Sequence, residues 1–110
     1  MQTELNDEIV LQVINEYKNS TEEDQVKLIS FLSIEDSIKI LTTMHSIINT
    51  IYDKKIMHFA NVTYNIINKR ITNIKNNKML SCSKKEKQKL ENLYIMLLEN
   101  KPVENKVKRR

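Results

Sequence analysis

The 110-residue chain contains no glycine, and this absence restricts the folds that it can adopt. Tight β-hairpin turns need residues that tolerate positive φ, and helices commonly end on glycine for the same reason. Asparagine is left to fill such positions, so a hairpin-rich β protein is not expected. A chain of this length forms one domain and is long enough to bury a hydrophobic core without disulfides.

A twelve-residue pattern occurs twice in the first half of the chain. The segment 21–29 aligns with the segment 33–41, and each copy has a hydroxyl residue, then acids, then apolar residues. A hydroxyl oxygen caps the first free N–H groups of a helix, and carboxylates are favoured by the positive end of the helix dipole. The pattern therefore predicts two successive helix starts, at Thr21 and at Ser33.

Apolar residues recur with helical spacing on both sides of this pattern. The spacing predicts a first helix over about residues 4–18, capped by Thr3, and a second over about residues 22–32, capped by Thr21. The predicted core face of the second helix consists of Val26, Ile29 and Leu32, with Leu28 and Phe31 beside them.

A third helix should begin at Ile34, and its stripe of apolar residues extends to Tyr52. We expect an end or a kink at Asp53-Lys54-Lys55 because lysines suit a helix C-terminus, although a single helix across residue 53 remains open. A fourth helix is expected over about residues 55–76.

Ser83 should start the last helix, since Glu86 completes a capping box with it. The prediction is an all-α compact bundle of four or five helices, formed by a single domain over residues 1–100. The basic segment 101–110 has little to bury, so we expect a disordered C-terminal tail.

Charge is distributed unevenly along the chain. Residues 1–45 carry nine acids against three bases, a balance of −6, whereas residues 46–110 carry five acids against fifteen bases, a balance of +10. Such asymmetry is typical of a protein that binds a polyanion or an acidic partner. It also fits two oppositely charged halves that fold against each other, and both interpretations remain open.

Basic residues concentrate at the end of the fourth predicted helix and at the start of the fifth. If these helices are antiparallel neighbours, eight cations gather at one end of the bundle and could neutralise several phosphates. The alternative is a lysine-rich surface that is simply solvated. The candidate anion or nucleic-acid contacts are Lys69, Arg70, Lys75, Lys78, Lys84, Lys85, Lys87 and Lys89.

Residue types that carry enzyme chemistry are sparse in this sequence. A glycine-rich phosphate loop is excluded, and His45 and His58 lack neighbouring acids at metal-ligand spacing, so we predict neither cofactor nor metal. Cys82 and His58 stay open as a nucleophile pair, because such partners meet in space rather than in sequence. The carboxylates at 22–24 and 35–36 are assigned to helix starts. We therefore predict that the protein is not an enzyme.

A single cysteine excludes an internal disulfide and favours a reducing, intracellular compartment. The first residues are polar and acidic, without the apolar run of a secretory signal. No uninterrupted apolar run approaches the length of a membrane span. We expect an intracellular protein that does not enter a membrane.

These observations predict a small non-enzymatic helical module that acts by protein–protein interaction, either with itself as a homo-oligomer or with a host protein. The bias toward isoleucine, lysine and asparagine is typical of AT-rich genomes and favours a viral or mobile-element regulator or inhibitor of a host protein. The alternative is a nucleic-acid-binding regulator that uses the basic cluster of residues 69–89 and the C-terminal tail.

Overall fold

A computed structural model describes residues 6–78 and 83–102 of the chain. These residues form helices and their connections, without a β-strand, and the all-α prediction is confirmed. Most of the tail that was predicted to be disordered, residues 103–110, lies outside the described residues. The described helices are α1 (Asp7–Tyr17), α2 (Glu22–Phe31), α3 (Ile34–Thr50), α4 (Lys54–Lys78) and α5 (Lys84–Glu99).

Three of the predicted helix starts are confirmed by their capping hydrogen bonds. The hydroxyl of Thr21 accepts from the amide of Asp24 at 3.1 Å, and the hydroxyl of Ser33 accepts from the amide of Asp36 at 3.0 Å. At α5, Ser83 and Glu86 form the expected reciprocal capping box, with distances of 2.9 and 3.1 Å. The repeated pattern in the sequence is thus a repeated helix start.

The predicted start of the first helix is wrong. The capping residue is Asn6, whose Oδ1 accepts from the amide of Ile9 at 2.9 Å, and α1 begins at Asp7 rather than at residue 4. An asparagine oxygen caps as well as a hydroxyl does, and it too is followed by acids in the first turn. Thr3, the predicted cap, lies outside the described residues.

The question of one helix or two across residue 53 is settled in favour of two. α3 ends at Thr50, and α4 begins at Lys54 after Asp53 caps it. The Oδ1 atom of Asp53 accepts from the amides of Lys55 at 2.9 Å and Ile56 at 3.2 Å. The physical reason given for the break was wrong, because the lysines open α4 rather than close α3.

Asp53 also joins α4 to the end of α1. Its Oδ2 atom lies 3.4 Å from the ammonium of Lys18, and the ammonium of Lys55 donates to the side-chain oxygen of Asn19 at 2.8 Å. These polar contacts hold the start of α4 beside the α1–α2 turn. They explain how a chain without glycine or proline in this connection can still change direction there.

α4 is the central helix, since it packs against α2, α3 and α5. α2 runs parallel to it, because Glu22 lies 3.4 Å from His58 while Arg70 reaches the other end of α2. α5 runs antiparallel to it, because Lys75 lies 3.6 Å from Glu91 while Lys101, just after α5, lies 5.9 Å from the ring centroid of Tyr64. α1 packs on α3, and the ring of Tyr17 at its end lies against that of Phe59 on α4.

The core fills the space between these helices with isoleucine, leucine and a single phenylalanine. Phe59 is fully buried, and its ring centroid lies 6.4 Å from that of Tyr17, which fixes the end of α1 against α4. Burial of each such side chain stabilises the fold by about 1.5–3 kcal/mol. Fully buried side chains include those of Val10, Ile29, Ile40, Leu41, Met44, Ile67, Ile71 and Leu97.

The predicted core face of α2 is only partly right. Ile29 is buried, but Val26 is exposed and Phe31 is almost fully exposed. Gln25 takes the expected place of an apolar residue, with 1% of its surface accessible. Its amide nitrogen donates to the main-chain oxygen of Tyr17 at 2.7 Å, so a polar contact to α1 replaces part of the predicted apolar packing.

None of the described helices is both long enough and apolar enough to cross a lipid bilayer.

The acid dependence of stability tests the role of Asp53. Hydrogen bonds from the backbone amides of Ile56 and Lys55, together with the nearby Lys18, hold the pKa of this carboxyl below its ordinary value, although burial opposes them. A carboxyl whose pKa is lower in the folded protein stabilises the fold at pH values above its unfolded-state pKa of about 3.9. This stabilisation is lost as the pH falls through the pKa of the carboxyl in the folded protein.

Urea unfolding followed by circular dichroism at pH 7, 4, 3 and 2.5 measures this contribution. We expect Asp53→Asn to lower the free energy of unfolding at pH 7 by about 0.5–1 kcal/mol, and the difference from the wild type to vanish toward pH 2.5. Asp53→Ala serves as the control and should lose about 1 kcal/mol more, because it also removes the cap. If the difference in the free energy of unfolding between the wild type and Asp53→Asn does not change with pH, the stabilising role assigned to the Asp53 charge is contradicted.

Candidate functional site

The structure brings the end of α4 and the start of α5 to the same end of this helix pair. Lys75 lies beside Glu91 and over the ring of Tyr94, at 4.3 Å from its centroid, whereas Lys101 lies 5.9 Å from the centroid of Tyr64. The two helices are therefore antiparallel, which is the arrangement that gathers the predicted basic residues. The Lys78 side chain and residues 79–82 lie outside the described part of the structure.

Arg70 is used inside the fold. Its Nη1 atom donates to the main-chain oxygens of Leu32 at 2.7 Å and Ile29 at 3.0 Å, which are partly buried acceptors at the C-terminus of α2. Charge-assisted hydrogen bonds to such carbonyls are favourable because they also meet the negative end of the helix dipole. Arg70 is thus a helix-closing residue.

Two of the lysines are paired with acids. Lys75 contacts Glu91 at 3.6 Å, and Lys89 contacts Glu35 at the start of α3 at 3.0 Å. The hydrogen bond and the charge of Lys89 lower the pKa of the Glu35 carboxyl below its ordinary value, although burial acts against them. These pairs reduce the positive charge that the cluster can offer to an anion.

Burial raises the pKa of the Tyr64 hydroxyl, and the neighbouring Tyr94 adds to this effect. Both tyrosines are only half-exposed, and each already faces a lysine. They belong to the α4–α5 interface, so neither offers a free ring for base stacking.

Four lysines of the predicted cluster stay exposed, and the described residues provide no acid within ion-pair distance of them. They are Lys69, Lys84, Lys85 and Lys87. Glu86 stands among the last three, and its capping contacts with the amide and hydroxyl of Ser83 lower its carboxyl pKa. The free basic surface is therefore about half the predicted cluster and contains an ionised acid.

A cavity of about 440 Å³ adjoins this surface where α3, α4 and α5 meet. Each of its polar side chains already has a partner within the protein, and these are Ser33, Glu35, Arg70, Glu86 and Lys89. Its charges are largely compensated, which makes it a poor site for a charged ligand.

Among the residues that the structure describes, the histidines do not converge with other metal ligands. His58 lies 3.4 Å from Glu22 on the surface, and the described residues contain no group of three histidine, cysteine, aspartate or glutamate side chains that could hold a metal ion. Cys82, which was considered as a partner of His58, lies outside the described residues.

Sequence reasoning missed a groove on the opposite, acidic half of the chain. Phe31 is 89% exposed, the highest value among the large apolar side chains that the structure describes. It borders a groove of about 710 Å³ between the end of α1 and the exposed face of α2. We call this the Phe31 groove, and its other lining residues are Glu16, Tyr17, Ser20, Asp24, Lys27 and Leu28.

A signal for the Phe31 groove was present in the sequence. Asp24, Lys27, Leu28 and Phe31 stand at positions i, i+3, i+4 and i+7, which is the spacing of one helix face. The sequence analysis places Leu28 and Phe31 beside the core residue Ile29 and therefore predicts a single apolar face for α2. In the structure, Leu28 and Phe31 form a second apolar face that borders the groove.

Comparison of the chain with protein-family models, with curated proteins and with solved structures finds no match. What the protein does must therefore be inferred from its own residues.

Substitution of Arg70 tests its role in closing α2. We expect Arg70→Met to lower the free energy of unfolding by about 1.5–3 kcal/mol, because two carbonyls at the end of α2 lose a charged donor. Lys69→Met removes a neighbouring exposed cation and should change stability by less than about 0.5 kcal/mol. Urea unfolding at pH 7 measures both, and equal losses in the two variants would show that Arg70 is only a surface charge.

Proposed function

We propose that the protein is a non-enzymatic interaction module that binds another protein through the Phe31 groove. The exposure of Phe31 is the observation that carries this proposal. Removing a phenylalanine side chain from water is worth about 1.5–3 kcal/mol, and aromatic residues beside a pocket are the usual centres of binding energy in interfaces. Because Phe31 stays exposed in the folded protein, this free energy remains available for binding a partner.

The walls of the groove support a binding role because they are fixed by the core. Tyr17 packs on the buried Phe59, and its main-chain oxygen is held by the buried Gln25. A groove with preorganised walls loses little conformational entropy when a partner enters. The exposed Phe31 then supplies the anchor and Leu28 extends the apolar contact.

Catalysis is not part of this proposal. The carboxylates of Glu16 and Asp24 border the groove, but both side chains are exposed to solvent. General acid–base catalysis is favoured where such groups are shielded from water or held by close neighbours. In the proposed role the protein acts inside the cell and regulates or inhibits its partner by occupying a surface.

Selection from a phage-displayed library of random twelve-residue peptides tests this proposal. We expect enrichment of a peptide family whose synthetic members bind with a Kd of about 1–100 µM, which corresponds to roughly −8 to −5.5 kcal/mol. Phe31→Ser should weaken this binding at least about tenfold, because the anchor is lost.

Leu98→Ser is the matched control, since Leu98 is a 47% exposed apolar residue on α5, outside the groove. It should leave the affinity within about twofold of the wild type. Circular dichroism verifies that both variants remain folded. Absence of an enriched family, or a family that binds Phe31→Ser as well as the wild type, would refute the proposal.

The second candidate function is nucleic-acid binding, and the exposed lysines of α5 favour it. Lys84, Lys85 and Lys87 lie in the first turns of α5, where the positive end of the helix dipole makes additional cations mildly unfavourable. A polyanion placed against these residues would remove that penalty. The arrangement supports weak, sequence-independent binding of phosphates.

Fluorescence anisotropy with a labelled random-sequence DNA duplex and with RNA tests this second candidate. If three phosphates are contacted, affinity should fall about 40-fold between 50 and 200 mM salt. Lys84→Glu combined with Lys85→Glu should abolish the binding. Lys27→Glu combined with Lys54→Glu makes the same change in net charge outside α5, and this variant should retain most of the nucleic-acid binding. No binding at 50 mM salt would exclude this function.

A further inference from the structure

We propose that the Phe31 groove selects a basic, arginine-containing segment of a partner protein, in which an apolar side chain accompanies the arginines. This inference rests on the proposed function and adds the chemistry of the partner. It follows from the charges around the groove and from the aromatic ring at its edge.

The carboxylates in the groove are not neutralised within the protein. Glu16 and Asp24 have no cationic partner among the residues that the structure describes. The one lysine of the groove, Lys27, lies 3.9 Å from the carboxylate of Glu23 on the same helix. The net charge of the groove and its border is therefore negative.

The end of α1 adds to this negative potential. The last turn of α1 contains no basic residue, and the Tyr17 carbonyl at its end accepts from neutral donors, the side chain of Gln25 and the amide of Ser20. The ammonium of Lys18, the C-cap residue of α1, lies 3.4 Å from the carboxylate of Asp53, the residue that caps α4. A cationic side chain that enters beside Glu16 would meet both the carboxylate and the helix end.

The ring of Phe31 makes arginine a better match than lysine. A guanidinium group is planar, so it can stack on an aromatic face and at the same time donate two parallel hydrogen bonds to a carboxylate. An ammonium group is a compact, strongly hydrated charge that gains less from the ring. The combination of an exposed ring with unpaired carboxylates is therefore suited to arginine.

The half-buried Leu28 and Tyr17 define the second requirement. They give the groove an apolar strip beside the carboxylates. A partner segment that carries only charges would leave this strip in contact with water, whereas a leucine or similar side chain would cover it. The expected ligand thus alternates basic and apolar residues.

Four labelled twelve-residue peptides test this inference by fluorescence anisotropy with the full chain in 150 mM salt. Each consists of four copies of a tripeptide: arginine–leucine–serine, lysine–leucine–serine, glutamate–leucine–serine or arginine–serine–serine. We expect the arginine–leucine peptide to bind tightest and the lysine peptide about threefold or more weaker. The arginine–serine peptide should bind about tenfold weaker, and the glutamate peptide should not bind.

Variants of the groove separate the two contributions. Phe31→Leu should retain part of the affinity but lose the preference for arginine over lysine, because it removes the ring and keeps an apolar side chain. Glu16→Gln combined with Asp24→Asn should weaken the arginine–leucine peptide about tenfold and reduce its salt dependence. Glu8→Gln combined with Glu99→Gln removes the same charge elsewhere and should change the affinity less than about twofold.

Several outcomes would overturn this inference and leave the proposed function standing. One is binding of the glutamate peptide, in a Phe31-dependent manner, as tightly as the arginine–leucine peptide. Another is failure of every probe to bind at 1 mM while the library selection still yields a Phe31-dependent family. Failure of the selection itself refutes the proposed function, so the two failures are distinct.

Two other occupants of the groove are also tested. Self-association of the chain in light scattering that is lost in Phe31→Ser would assign the groove to a second copy. A gain of peptide affinity after deletion of residues 103–110 would assign it to the chain's own basic C-terminal segment. Either result would overturn the inference of a separate basic partner, whereas a monomer with unchanged affinity after the deletion supports it.

Discussion

The contact of Arg70 with the end of α2 is the one on which the arrangement of the amino-terminal helices depends. In a chain without glycine, a helix cannot end on a left-handed glycine cap, and no described residue has positive φ. The last carbonyls of a helix must then find other donors. Arg70 serves Ile29 and Leu32 at the end of α2, and Gln25 serves Tyr17 at the end of α1. Each of these helix ends is thereby fixed to a neighbouring helix.

The starts of the helices could largely be predicted from the sequence because they depend on contacts three residues apart. Thr21, Ser33 and Ser83 each cap a helix in the predicted way. Thr3 was the wrong choice for α1 because Asn6 offers an equivalent oxygen, also followed by acids. Local chemistry identifies a helix start, but it does not choose between two suitable oxygens a few residues apart.

The sites were harder to predict because they are formed by contacts between distant residues. Arg70 looked like part of a basic surface, yet its acceptors lie 38 and 41 residues earlier in the chain. Gln25 is buried because its partner is a carbonyl on another helix, and Phe31, on a different face of α2, is exposed. The exposed lysines of α5 follow their local charge pattern and were predictable. The groove beside Phe31 became visible only once α1 and α2 were placed together.

The order of these contacts along the chain bears on how the protein folds during synthesis. α1, α2 and α3 leave the ribosome before Asp53 and Arg70, which hold the ends of the first two helices. Helices of about three turns are marginal in isolation. We expect the nascent amino-terminal half to remain loosely ordered until most of α4 has emerged. α4 would then act as the template on which the earlier helices, and the groove between two of them, are completed together.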